Sequence, residues 1–229
     1  MTKIILVPGL LCSPRLWQFQ VEALDGEHEV RVFDHRRDDN YAAMAERLLD
    51  EVPGSFALVG LSMGGYLAQE VAARAPARVE RLALTCTRAE PDTVEIRSRR
   101  MQQAAEAAAG RFEAIAAELG QGWLAPRNRT RENLDLLAEM ARHTGAEAFG
   151  RQQKAIADRR DMRPLLGQIG CPTLVLCGSE DQLTVPEGHI AMARAIPDAD
   201  LVILGGCGHL APLERPDAVT DALRTWLRR

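Results

Sequence analysis

The 229-residue chain contains no apolar run near the ~20 residues that a membrane-spanning helix needs. It also lacks a basic tract that would follow a phosphate backbone, and its formal net charge is −4. Neither a membrane nor a nucleic acid is therefore expected as a partner. The five cysteines are scattered and odd in number, with no Cys-x-x-Cys pair. That argues against a zinc ribbon or a disulfide framework and predicts reduced thiols in a cytoplasmic protein. No internal repeat or low-complexity tract is present. The Ala-rich stretch from Ala104 to Ala109 reads as ordinary helix. The first apolar run, Ile4 to Val7, is broken by Pro8-Gly9 and makes a poor signal-peptide core. Cys12 follows Leu10-Leu11 but lacks the small preceding residue of a lipoprotein site. What is present is a 46% hydrophobic fraction. It suits a sizeable core in one domain, or one domain with a large insertion.

The apolar runs alternate with helical patterns. Strands are predicted at Lys3 to Val7, His28 to Phe33, Phe56 to Val59 and Arg81 to Thr85. Helices are predicted at Arg15 to Leu24, at Tyr41 to Val52 with Asn40 as its cap, and from Tyr66 to just before Pro76. The alternation stops near Arg88. Four helical patterns follow, Asp92 to Ala109, Phe112 to Leu119, Arg131 to His143 and Ala146 to Arg159, punctuated by Gly110, Gly120, Gly122 and Gly145. After Pro164 the alternation resumes, with strands at Pro172 to Cys177 and Leu201 to Leu204 and helices at Gly188 to Ile196 and Pro216 to Leu227. Repeated strand-helix units predict an α/β fold: a mostly parallel sheet of about six strands with helices on both faces. The expected division is a core of residues 1–87 and 162–229 carrying a helical cap of residues 88–161.

Gly60-x-Ser62-x-Gly64 lies between the third strand and its helix. This is the context of a nucleophile elbow, a turn sharp enough to lift a serine hydroxyl clear of the sheet edge. Close backbone approach leaves no room for side chains beside the serine, and a strained Ser62 backbone is expected. A serine needs a base. Of five histidines, His28 and His35 flank the second strand, and His143 and His189 fall in helical patterns. His209 follows the last strand in Gly205-Gly206-Cys207-Gly208-His209, where a turn can aim the ring across the sheet edge. An acid must then orient that ring. Asp181 follows the fifth strand. The adjacent Glu180 competes with it, and Glu90 and Asp92 after the fourth strand remain alternatives.

The order Ser62, Asp181, His209 resembles that of the α/β-hydrolase superfamily, and the resemblance runs over essentially the whole chain. Gly178-x-x-Asp181 with Pro186 a few residues on is similar to the family's acid loop. Gly208-His209-Leu210-Ala211-Pro212 is similar to its histidine segment. Small esterases and enol-lactonases are the nearest in style. Two departures stand out. The loop after the first strand reads Pro8-Gly9 where the family often has His-Gly, and the antiparallel strands that often precede the first strand are absent.

The resemblance implies acyl transfer to water through Ser62, His209 and Asp181, with backbone N–H groups of Leu10 and Met63 as the oxyanion hole. It implies no metal and no organic cofactor. Ester, lactone and thioester hydrolysis, C–C cleavage, lyase chemistry and a slow-turnover receptor remain open on such a site. The expected partner is a small-molecule substrate, with monomer and homodimer both open. Trp17, Met101, Phe112 and Trp123 are candidate substrate-lining residues. Arg97, Arg99 and Arg100 meet either a substrate carboxylate or solvent.

Overall fold

The computed structural model describes residues 1–229. The chain runs through β1 (Lys3–Val7), α1 (Gln18–Leu24), β2 (Glu29–Val32), α2 (Tyr41–Glu51), β3 (Phe56–Leu61), α3 (Met63–Arg74) and β4 (Val79–Thr85). Three longer helices follow: α4 (Val94–Glu106), α5 (Phe112–Trp123) and α6 (Arg131–Ala157). The remainder is α7 (Arg163–Leu166), β5 (Thr173–Gly178), α8 (Pro186–Ala195), β6 (Ala199–Leu204), α9 (Ala211–Glu214) and α10 (Pro216–Leu227).

All six strands are parallel, in the order β2-β1-β3-β4-β5-β6. Parallel strands need both faces covered and so read as continuous apolar runs rather than alternating ones. Phe56–Leu61 in β3 and Thr173–Gly178 in β5 are buried at every position. The chain steps one way from β1 to β2, then returns past β1 to β3 and continues in the other direction. With right-handed crossovers this reversal sends α1 to the face opposite α2 and α3. Accordingly α2 packs on α3, while α1 packs on α10. The reversal also opens a crevice beyond the carboxyl ends of β1 and β3, the place where ligands bind in such sheets.

Local signals account for the element ends. The Asn40 side chain accepts from Ala43 N–H at 2.8 Å and caps α2. Thr93 and Thr130 cap α4 and α6 in the same way. The predicted helix from Arg15 opens instead with a 3₁₀ turn, Pro14–Trp17. The two patterns on either side of Gly145 form one helix with a kink there (φ 76°, ψ 162°). The short helices α7 and α9 have too few residues for a periodic signal. Trp226 is 1% exposed, and its indole N–H donates to Pro172 O at 3.0 Å, tying α10 to the entry of β5. Burial of a side chain that large contributes roughly 1.5–3 kcal/mol.

Candidate active site

Ser62 follows β3 directly and has φ 53°, ψ −110°, a region that L-residues rarely occupy. Its neighbours hold it there. Ser62 N–H donates to Thr85 O at 2.9 Å, and Ser62 O accepts from Gly65 N–H and from the Thr87 hydroxyl at 2.9 and 2.8 Å. A Cβ at Gly60 would lie 2.2 Å from Gly64 O, and one at Gly64 would lie 2.3 Å from Val7 O. Backbone on both sides of the turn is thus too close for any side chain, which explains both glycines. Thr87 is itself fixed: its N–H donates to His189 Nε2 at 3.0 Å, while His189 Nδ1 faces Val185 O at 3.2 Å. That pairing suits a neutral ring, and burial lowers the His189 pKa. His189 is therefore a brace for the elbow.

His209 Nδ1 lies 2.8 Å from Asp181 Oδ2. The same oxygen accepts from the Thr184 hydroxyl at 2.6 Å. Asp181 Oδ1 accepts from the N–H groups of Leu183 and Thr184, both at 2.9 Å. Burial pushes the Asp181 carboxyl up, but the His209 charge and the hydrogen bonds from His209 and Thr184 outweigh it and hold the pKa at about 2. The other acids are engaged elsewhere. Glu180 pairs with Arg127 at 2.6 Å, Asp92 pairs with Arg100 and Arg159, and Glu90 accepts from Ala89 N–H. Of these acids, only Asp181 touches the ring. The Ser62 hydroxyl makes no hydrogen bond to His209 in this structure, but both side chains line one cavity of about 60 Å³.

The cavity is roofed by α4, α5 and α6 through Arg100, Gln103, Leu119, Trp123, Gln153 and Ile156. Of the four expected lining residues, only Trp123 is there. Trp17 is fully buried in the core, Phe112 packs edge-on against Phe149 at 5.8 Å, and Met101 is 43% exposed. Trp17 and Phe112 serve packing and Met101 faces solvent, so none of the three lines this cavity. Arg100 lines it, whereas Arg97 pairs with Asp158 at the surface and Arg99 is exposed.

Leu10 also lines the cavity, and its N–H has no protein acceptor. Met63 is the first residue of α3, so its N–H lacks an intrahelical partner. The loop carrying Leu10 is braced from two sides. His35 Nε2 lies 2.9 Å from Gly9 O, and Gln152 Oε1 accepts from Leu11 N–H at 3.2 Å. Burial lowers the His35 pKa to about 4, so that ring is neutral near pH 7. Position after β2 was the available signal for His35, but nothing in the sequence joins it to Gly9 or to a glutamine more than a hundred residues on.

Glu214 is a second residue that sequence reasoning missed. Its buried carboxylate accepts from the N–H groups of Gly208 (2.9 Å), Leu210 (3.1 Å) and Ala125 (2.9 Å), and from Asn128 Nδ2 (2.7 Å). It clamps both sides of His209 and joins them to the end of α5, where His209 N–H also donates to Trp123 O at 2.7 Å. Glu214→Gln leaves one oxygen for four donors. It is expected to cost on the order of 2–3 kcal/mol and lower the melting temperature by roughly 5–10 °C in scanning calorimetry. An unchanged melting temperature would show that the clamp is not stabilising.

Cys86 Sγ, Asp181 and His209 fall within 4.8 Å of one another, which meets the spacing of a three-ligand metal site. The chemistry does not fit. Burial pushes the Cys86 thiol well above its ordinary pKa, and the Asp181 oxygens already accept four hydrogen bonds.

The sequence profile of the alpha/beta hydrolase family matches residues 4–222. The chain belongs to this family. A solved thermophilic esterase from Thermogutta terrifontis, with malate bound, superposes at a TM-score of 0.92 with 31% identity, covering 100% of this chain and 90% of that one. The enol-lactonase from Burkholderia xenovorans gives a TM-score of 0.90 with 27% identity, covering 100% and 92%. The dihydrolipoyllysine-residue acetyltransferase component of the acetoin cleaving system of Pseudomonas putida is 30% identical over all of this chain, which spans 64% of that protein's length. No helix of this alpha/beta hydrolase is long and apolar enough to cross a membrane, and all five cysteines are unpaired.

Proposed function

We propose that the chain is a serine hydrolase that cleaves a small-molecule carboxylic ester, lactone or thioester through Ser62, His209 and Asp181. The observation that carries this reading is the Asp181–His209 pair at 2.8 Å, with His209 lining the same cavity as a serine held at positive φ. Ser62 Oγ attacks the carbonyl carbon while His209 takes the hydroxyl proton. The carbonyl oxygen becomes an oxyanion, and the free N–H groups of Leu10 and Met63 receive it. Collapse breaks the bond to the leaving group, which takes the proton from His209. Water, deprotonated by the same ring, then hydrolyses the acyl-enzyme.

The helices α4–α6 act as a cap in this reading, shaping the acyl pocket and excluding water. The likeness to an esterase and an enol-lactonase supports acyl chemistry for this chain as well. The five unpaired thiols support a reducing, cytoplasmic compartment. The deciding experiment is a fluorophosphonate probe followed by peptide mass spectrometry. One adduct is expected, on the peptide carrying Ser62. An adduct on another serine, or none, would refute the assignment. Comparing an ester, a thioester and a lactone of the same acyl group then ranks the substrate classes.

A further inference from the structure

Thr184 grips Asp181 at both carboxylate oxygens. Its N–H donates to Oδ1 at 2.9 Å, and its hydroxyl donates to Oδ2 at 2.6 Å. Oδ1 has a second anchor in the Leu183 N–H, also at 2.9 Å. Oδ2 has none apart from His209 Nδ1 at 2.8 Å. The Thr184 hydroxyl is therefore what fixes, independently of the ring, the oxygen that the ring uses.

The proton of that hydroxyl has one place to go. An ionised carboxylate only accepts, so the proton lies toward Oδ2 and a lone pair is left for His209 Nδ1, 3.3 Å away. Nδ1 thus meets two acceptors, Asp181 Oδ2 and the Thr184 oxygen. Asp181, Thr184 and His209 are 1%, 3% and 3% exposed, so bulk water does not stand in for a missing hydroxyl. Thr184 is not among the residues that line the cavity over Ser62, so it acts on Asp181 and not on substrate.

The other groups around the ring do not touch Oδ2. Cys86 Sγ lies within 4.8 Å of the Asp181 and His209 polar atoms, and burial keeps that thiol neutral. His189 on α8 is spent on Thr87 N–H and Val185 O. Glu214 on α9 is spent on its four donors. Arg88 and Arg100 line the cavity with His209, and they donate to the Leu183 carbonyl and to Asp92.

We infer that Thr184 is a positioning residue of the reaction: its hydroxyl sets the plane of the Asp181 carboxylate and limits the charge that carboxylate places on His209. The inference rests on the hydrolase reading and adds a fourth side chain to it. Without the hydroxyl, Oδ2 is held by His209 alone. The ring is then less firmly aimed, and the carboxylate, one donor short, holds the imidazolium more strongly.

The test takes Thr184→Val, Thr184→Ala and Thr184→Ser on p-nitrophenyl acetate, with kcat and KM followed between about pH 5 and 9. Thr184→Val replaces the hydroxyl by a methyl, Thr184→Ala removes both branches, and Thr184→Ser keeps the hydroxyl. Thr184→Val and Thr184→Ala should lower kcat about tenfold with KM within about twofold of the wild type, and Thr184→Ser should recover to within about twofold. The acid limb of kcat/KM should move to higher pH by about half a unit in Thr184→Val and Thr184→Ala and stay in place in Thr184→Ser. Proton NMR of the His209 ring should show the same displacement of its titration without any turnover.

An unchanged kcat and acid limb in Thr184→Val overturns the inference. A Thr184→Ser as slow as Thr184→Ala assigns the effect to packing of the methyl, and a Thr184→Ala like the wild type assigns it to crowding in Thr184→Val; either overturns it. A lower kcat with an unmoved acid limb also overturns it, since a merely structural role predicts that. If no ester is turned over and Ser62 takes no fluorophosphonate, the hydrolase reading has failed. The ring titration then decides the role of Thr184 alone: an upward displacement in Thr184→Val but not in Thr184→Ser supports it, and the same titration in both refutes it.

Discussion

Ser62→Ala should lower kcat on an activated ester by roughly 10⁶-fold and abolish fluorophosphonate labelling. The size follows from what the substitution removes. If the three groups act as a unit, loss of the nucleophile leaves His209 with no proton to move and costs nearly all that the group contributes. The Leu10 and Met63 N–H groups remain, and they retain roughly 10³–10⁴-fold acceleration over water through oxyanion binding. The variant isolates chemistry from folding. Alanine carries the same Cβ as serine, so the strain at φ 53° is the same in both proteins. The backbone bonds that fix residue 62, to Thr85 O and from Gly65 N–H, do not involve the hydroxyl. The melting temperature should therefore stay within about 1 kcal/mol equivalent of the wild type. Comparable turnover by Ser62→Ala and wild type would remove the serine from the mechanism and leave a reaction driven by His209 as a base without an acyl-enzyme.

The fold was legible because its signals are local and repeated. Buried parallel strands such as β3 and β5 appear as unbroken apolar runs, and a helix cap such as Asn40 is a single residue at a predictable place. The positions of Ser62, Asp181 and His209 were also readable, since each follows a strand and the turn chemistry around it is written in glycine. The supporting contacts were not. Glu214 lies on a helix of four residues and grips Gly208, Leu210 and Ala125, groups whose N–H bonds leave no trace in side-chain identity. Gln152 reaches Leu11 across 141 positions. Cavity lining failed for a related reason. Trp17 and Trp123 look alike in a sequence, yet one fills the core and the other stands 6.4 Å from the His209 ring.

Asp181→Asn should depress kcat on the order of 10⁴-fold, by analogy with serine-protease triads, while Glu180→Gln should be nearly silent. Asp181 Oδ2 faces His209 Nδ1 and thereby keeps the proton on that nitrogen, leaving Nε2 free to accept from Ser62. An asparagine amide can present N–H to Nδ1 instead and stabilise the wrong tautomer. It also cannot carry the negative charge that supports the ring once it is protonated. Glu180 faces away, held by Arg127 at 2.6 Å, so its neutralisation removes only a surface pair worth about 0–1 kcal/mol. The same two variants separate in their response to acid. The folded Asp181 pKa is depressed from 3.8 to about 2, so its contribution to stability is complete above about pH 4 and is lost as pH falls toward 2. The melting-temperature gap between wild type and Asp181→Asn should accordingly be widest at neutral pH, narrow between pH 4 and 2, and stay flat above that window. The gap for Glu180→Gln should be small throughout. A gap for Asp181→Asn that is constant from pH 7 to 2 would mean that the carboxylate's charge does not stabilise the fold. Strong activity loss in Glu180→Gln with little in Asp181→Asn would move the acid by one residue, against the 2.8 Å contact that Asp181 makes with His209.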